Sequence, residues 1–187
     1  MNSQPLALSA DDWTLAVANP DNNSIGIFDV RNSANTRVAL VGVGVEPNGV
    51  AVSPDGTKIY VANTVSGRVT VLTVDRANAA YGSFQTTITV GTEPYGLALT
   101  PSGKKLYVAN ARSNSVSVID TATNRVTKTI AGVGFEPRGI AITNSGGDDA
   151  LETVYVTQFL ALPGRRSLTR KKTSRPIFAG LPVAWAC

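Results

Sequence analysis

Apolar positions alternate with small or polar ones in short runs through the first 158 residues, and Gly, Pro, Asn, Asp and Ser separate the runs. A period of two marks half-buried β-strands, and the separators are the residues that reverse a chain. The pattern predicts strands at 15–19, 25–30 and 38–43; at 50–52, 59–63, 69–74 and 86–90; at 97–99, 106–110, 116–120 and 126–130; and at 140–142 and 154–158. Residues 1–10 already read as a strand rather than a basic segment followed by an apolar run. Helical repeats would need apolar residues three and four apart, and these runs do not show them.

The strands recur as a unit. Glu46-Pro47-Asn48-Gly49, Glu93-Pro94-Tyr95-Gly96 and Glu136-Pro137-Arg138-Gly139 follow one another at offsets of 47 and 43 residues. Each leads into a small apolar strand and then a turn: Ser53-Pro54-Asp55-Gly56, Thr100-Pro101-Ser102-Gly103 or Thr143-Asn144-Ser145-Gly146. Proline presets φ in such turns and glycine supplies φ > 0. The next strands are Ile59-Tyr60-Val61-Ala62-Asn63, Leu106-Tyr107-Val108-Ala109-Asn110 and Val154-Tyr155-Val156-Thr157-Gln158, with Leu15-Ala16-Val17-Ala18-Asn19 as a degenerate first copy.

Four strands per repeat of about 45 residues is the count of a propeller blade. The fold class is therefore all-β: a β-propeller of four-stranded antiparallel blades, incomplete at about three and a half blades and fourteen strands. The blades run approximately over 6–45, 49–92, 96–135 and, in part, 139–159, with an irregular basic tail over 160–187. Ile59 and Val61 point one way and Tyr60 and Ala62 the other, so neighbouring blades must cover both faces. The fourth strand is more polar, as in Thr127-Lys128-Thr129, which suits an outer edge facing water.

These residues resemble the YVTN-type β-propeller repeat of surface-layer-like proteins. The likeness rests on Tyr60-Val61-Ala62-Asn63 and Tyr107-Val108-Ala109-Asn110, on the Pro-x-Gly lead-in, on the Ser-Pro-Asp-Gly turn and on Val116-Ser117-Val118-Ile119-Asp120, and covers residues 6–158. The resemblance implies a ring of about seven blades, of which this chain supplies about half, and an exported or cell-surface setting. It also implies a non-catalytic scaffold that binds a protein, glycan or small ligand through loops at the channel mouth. Related-looking propellers include lactonases and cofactor-dependent dehydrogenases, so the alternative is a lactonase-like or metal-dependent enzyme acting only in a complete ring. An open set of blades would leave apolar faces exposed and favour self-association.

Charge changes the picture only at the C-terminal end. Residues 1–158 carry 11 basic and 13 acidic side chains, whereas Arg165, Arg166, Arg170, Lys171, Lys172 and Arg175 stand in the tail without an acid. The repeats therefore offer no phosphate-tracking surface, and no nucleic-acid partner is expected. The abrupt change in composition after Phe159 favours a truncated or frame-shifted reading of a longer gene. A basic segment and apolar run resting on an anionic membrane, or a solvated tail, are the alternatives. No stretch approaches the roughly 20 apolar residues that span a bilayer.

Histidine is absent and the one cysteine is Cys187. That removes imidazole catalysis, intrachain disulfides and cysteine metal clusters. The loops leading into the innermost strands of a propeller gather at one mouth, so Glu46, Asn48, Glu93, Tyr95, Glu136 and Arg138 form the candidate ligand-binding set. The position after the proline changes from Asn to Tyr to Arg, as expected if it tunes a ligand, while the glutamates are read as ordering the turn. Three carboxylates could also collect Ca²⁺, but no calcium loop is present, Asp148-Asp149 reads as solvated, and no cofactor is expected. Asn63 and Asn110 are expected to bond their own loops, and Tyr60, Tyr107 and Tyr155 to pack between blades. Gly42-Val43-Gly44 and Gly132-Val133-Gly134 open no helix and so lack the dipole of a phosphate loop.

Overall fold

A computed structural model describes residues 5–143, 152–159 and 183–186. The alternating runs form strands, and the strands form sheets in sequence order. β1 (Leu6–Leu8), β2 (Thr14–Asn19), β3 (Ser24–Asp29) and β4 (Thr36–Gly42) make the first blade. β5 (Pro47–Val52), β6 (Lys58–Asn63), β7 (Arg68–Asp75) and β8 (Ala80–Thr89) make the second. β9 (Pro94–Leu99), β10 (Lys105–Asn110), β11 (Ser115–Asp120) and β12 (Arg125–Ala131) make the third. β13 (Pro137–Ile142) and β14 (Val154–Gln158) begin a fourth. Every neighbouring pair within the first three sheets is antiparallel. The protein is an incomplete β-propeller.

Two differences from the sequence reading concern element bounds. The innermost strands start at the proline, not after the glycine, because Pro47 and Pro137 already sit opposite Asn63 and Gln158. A fifteenth strand, β15 (Val183–Ala186), lies parallel to β14 within the segment expected to be irregular. Asp148-Asp149 and the basic cluster from Arg165 to Arg175 lie outside the described residues.

The core sits between blades rather than within any of them. Ile59 and Val61 join Ala16, Ala18, Ile25 and Ile27 on one side of the second blade. Tyr60 and Ala62 join Leu97, Leu106 and Val108 on the other. Tyr107 and Ala109 meet Ile140, Val154 and Val156 in the same way. Tyr60 and Tyr107 are wholly buried, as expected of inter-blade packing, but Tyr155 is 42% exposed because no described blade covers its face.

The turns repeat as closely as the strands. The Gly56 N–H donates to Ser53 O at 2.8 Å and the Gly103 N–H to Thr100 O at 2.8 Å, with φ of +70° and +72° at the two glycines. The Ser53 and Thr100 hydroxyls accept the N–H of Lys58 and Lys105 at 2.9 and 3.1 Å. Asn63 and Asn110 differ from expectation: both are buried in strands, and their amides donate across to the third strand. Asn63 Nδ2 reaches Thr70 Oγ1 at 2.8 Å and Asn110 Nδ2 reaches Ser117 Oγ at 3.0 Å. Gly44, Gly91 and Gly134 lie against Asn63, Asn110 and Gln158, where a Cβ would approach within 2.7, 2.7 and 2.3 Å. Their glycine content is thus a matter of close packing on the second strand.

Candidate mouth site

The lead-in segments of the second, third and fourth blades stand side by side. A Cβ on Gly49 would lie 1.9 Å from Tyr95 O, and one on Gly96 would lie 2.3 Å from Arg138 O. Only glycine lets the successive innermost strands approach this closely. The residue two positions before each, at Pro47, Pro94 and Pro137, is buried.

The preceding glutamates share an unusual backbone. Glu46, Glu93 and Glu136 have φ of +58°, +54° and +47°. This left-handed region is sterically disfavoured for residues with a Cβ, and glutamate has none of asparagine's local compensation. The surroundings enforce it. The Glu46, Glu93 and Glu136 carbonyls accept the N–H groups of Thr64, Ala111 and Phe159 at 2.9, 2.8 and 3.1 Å. The Glu46 and Glu136 N–H groups donate to Asn23 Oδ1 and Asn114 Oδ1, both at 2.9 Å. Asn23 and Asn114 are themselves left-handed, with Gly67 at the matching place in the second blade.

Four of the six predicted residues come together. Arg112 places Nε 3.5 Å from Glu93 Oε1 and Nη1 3.9 Å from Glu136 Oε1. Arg138 Nη2 stands 3.4 Å from Glu136 Oε2, and its guanidinium lies 4.8 Å from the Tyr95 ring centroid and 3.8 Å from that of Phe159. A guanidinium held against aromatic faces is fixed in direction by cation–π attraction. Arg112 is the looser of the two, with 64% of its side chain exposed against 20% for Arg138. Asn48 instead donates to Thr64 Oγ1 at 2.9 Å, and Thr64 Oγ1 donates to Pro94 O at 2.9 Å, which ties the second blade to the third. Glu46 is exposed, with no cationic side chain within 4 Å among the described residues.

Arg112 and Phe159 escaped the sequence reading. Arg112 lies in the loop between the second and third strands, which opens at the same end of the blade as the Glu-Pro lead-in; aligning Thr64-Val65-Ser66-Gly67 with Ala111-Arg112-Ser113-Asn114 would have brought it out. The arginine bridge also bears on the idea of a carboxylate ring. Two of the three carboxylates already share a cation, and among the described residues no three acids, cysteines or histidines lie close enough to hold a metal ion.

At the opposite end of the innermost strands, an apolar recess of about 590 Å³ is lined by Leu8, Val52, Leu99 and Ile142 among others, with no charged lining residue among the described residues. No helix among the described residues is long and apolar enough to cross a membrane.

Comparison with known proteins agrees with the architecture. No curated protein matches the chain. Among solved structures, a hydrazine synthase of Kuenenia stuttgartiensis is 30% identical, with a TM-score of 0.66 over 75% of this chain and 39% of its own. A putative 6-phosphogluconolactonase of Bacteroides fragilis is 24% identical, with a TM-score of 0.59 over 67% of this chain and 38% of its own. A functionally unknown protein of Desulfotomaculum acetoxidans is 25% identical, with a TM-score of 0.59 over 71% of this chain and 43% of its own. The chain thus spans about two fifths of the length of the structures it matches. The sequence model described as "Lactonase, 7-bladed beta-propeller" matches residues 4–78 and 42–137, which contain three of the repeats that build the blades. On that match the chain belongs to the lactonase seven-bladed β-propeller family.

Proposed function

We propose that the protein is a ligand-binding propeller segment whose mouth receives a small, polyhydroxylated anion of the sugar-acid type. One observation carries the reading: Arg112 and Arg138 stand beside the same glutamate, Glu136, one guanidinium clamped on Tyr95 and Phe159 and the other loosely held and open to solvent. Arginine is suited to carboxylate and phosphate oxygens because its donors form a planar fork. The clamped Arg138 supplies direction, and the exposed Arg112 can leave its two long contacts to meet a ligand. Glu46, Glu93 and Glu136 are acceptors for ligand hydroxyls, and Asn48, Tyr95 and Arg138 vary between blades as a tuning position would. The surface-layer resemblance of the Tyr-Val-Ala-Asn repeats supports binding without catalysis.

Calorimetric titration with 6-phosphogluconate, with glucose as the neutral comparison, tests this. Arg112→Ala and Arg138→Ala should each weaken 6-phosphogluconate binding by about tenfold or more while glucose binding stays negligible. Equal affinity for both compounds, or binding unaffected by both substitutions, overturns the proposal.

The family match favours a second reading, lactone hydrolysis, in which the mouth glutamates act on the substrate. It requires δ-gluconolactone turnover by the purified chain that falls on Glu93→Gln or Glu136→Gln. Absence of turnover above the buffer rate leaves the binding reading standing alone.

A further inference from the structure

The end of the blades opposite the mouth holds a second polar recess, of about 180 Å³, between the second and third blades. Asp55, Lys58, Tyr60, Ser102 and Thr121 line it. This is below the roughly 300 Å³ at which drug-sized sites begin. Any ligand must be small.

The corresponding place between the first and second blades shows what chemistry fits there. Arg76, the residue after the aspartate that caps the β7–β8 turn, reaches across to the first blade. Its Nη1 lies 2.5 Å from Asp11 Oδ2, and its Nε donates to Thr14 Oγ1 at 3.1 Å. The guanidinium rests on Gly56, where a Cβ would lie 2.8 Å from Nη2. Asp11 and Asp55 occupy the same position in equivalent turns, each accepting a serine hydroxyl and the N–H two residues on: Ser9 and Trp13 for Asp11, Ser53 and Thr57 for Asp55.

Between the second and third blades no guanidinium lines the recess among the described residues. The residue after the capping Asp120 is Thr121, whose short side chain donates to Gly103 O at 2.6 Å instead of crossing to Asp55. Asp55 engages its neighbours through Oδ1, and Oδ2 makes no hydrogen bond among the described residues. The Tyr60 hydroxyl is buried beside the Thr121 side chain, and among the described residues it meets no partner, Thr121 included, at full hydrogen-bond geometry. Lys58 Nζ donates to Thr121 O at 2.9 Å, which leaves further ammonium protons for an anion. The recess thus presents acceptors matched to a planar cation and a donor matched to a carboxylate.

We propose that this recess binds a small guanidino acid, its guanidinium toward Asp55 and Tyr60 in the manner of Arg76 toward Asp11, its carboxylate toward Lys58. The ligand replaces a contact that the protein makes covalently one blade earlier.

Titration of the full chain with guanidinoacetate tests the assignment. Saturable binding is expected, weakened about tenfold or more by Asp55→Asn and abolished by Thr121→Arg, which puts a guanidinium in the recess permanently. Arg112→Ala, at the mouth, should bind guanidinoacetate as the unchanged chain does. Thermal melts followed by circular dichroism establish that each variant is folded. If Thr121→Arg fails to fold, Asp55→Asn and Tyr60→Phe carry the test. No saturable binding by the unchanged chain, or equal binding by the folded Asp55 and Thr121 variants, overturns it.

Discussion

Replacing Glu46 by glycine separates what the turn needs from what a ligand needs. Glu46 adopts φ of +58°, and placing an L-residue there costs about 1–2 kcal/mol relative to its preferred backbone. Glycine removes that strain but loses about 0.5–1 kcal/mol more conformational freedom on folding. The hydrogen bonds that hold the turn, from the Glu46 N–H to Asn23 and from the Thr64 N–H to the Glu46 carbonyl, use backbone atoms and survive the change. No ion pair is lost among the described residues. The net expectation is a gain between about 0 and 1.5 kcal/mol, which at about 2–4 °C per kcal/mol for a chain of this size raises Tm by up to about 6 °C.

Glu93→Gly and Glu136→Gly should gain less, because the first also gives up one and the second two partly exposed arginine contacts, each worth about 0–1 kcal/mol. The assay is thermal melting beside 6-phosphogluconate titration on the same samples. Strain of this kind persists where the surroundings over-determine it, and it clusters at functional sites. Stability held or raised while binding falls is the expected pair of results. A loss of more than about 1 kcal/mol at Glu46→Gly would show that the glutamate side chain builds the turn, and the reasoning from backbone strain would be refuted.

Other outcomes follow from packing and charge. Gly49→Ala sets a Cβ 1.9 Å from a backbone oxygen that cannot swing aside and should destabilise by about 1–3 kcal/mol or more, whereas Gly42→Ala meets nothing within 4 Å and should be near neutral in a denaturant melt. Tyr60→Ala and Tyr107→Ala empty inter-blade cores and should lose about 3–5 kcal/mol, while the half-exposed Tyr155→Ala should lose under about 1 kcal/mol; similar losses at all three would mean that Tyr155 is covered. Hydrogen bonds from Ser9, Ser53, Asn78 and the Thr123 N–H, together with Arg31 beside Asp29, hold Asp11, Asp55, Asp75, Asp120 and Asp29 below the usual carboxylate range, Asp29 at about 2. Folded pKa values below unfolded ones mean that the unfolded chain binds more protons in acid. Their stabilisation is complete above about pH 4 and is lost as pH falls toward 2. Urea midpoints at pH 5 and pH 2.5 check the sign, and an unchanged midpoint would count against these contacts.

How far the sequence could be read depends on how local each feature's cause is. The blades were legible because alternation is imposed by strand geometry itself: Ile59, Tyr60, Val61 and Ala62 announce two buried faces before any neighbour is known, and the structure covers both. Tyr155 carries the same local signal as Tyr60, yet it is exposed, because burial there depends on what stands beside the blade and not on the strand. The left-handed glutamates left no trace for the same reason: nothing in Glu-Pro-x-Gly foretells φ > 0, which the Asn23 and Asn114 side chains of the preceding blades help to hold.

The mouth shows where such non-local information accumulates. Its frame is made of residues that the repeats share, namely the glutamate, the proline and the glycine on which the next blade's backbone rests. Its chemistry is made where the repeats disagree: Asn48, Tyr95 and Arg138 at one position, Val65 and Arg112 at another. A substitution at the shared glycine disturbs the close approach of the next blade's backbone, whereas Val65 is 63% exposed and free to vary. Val65→Arg therefore offers the mouth a second exposed guanidinium next to Glu46, the glutamate that now lacks one. It should tighten 6-phosphogluconate binding at low ionic strength, with the gain fading as salt screens it. A gain that persists unchanged in high salt would show that the new side chain acts through shape and not through charge.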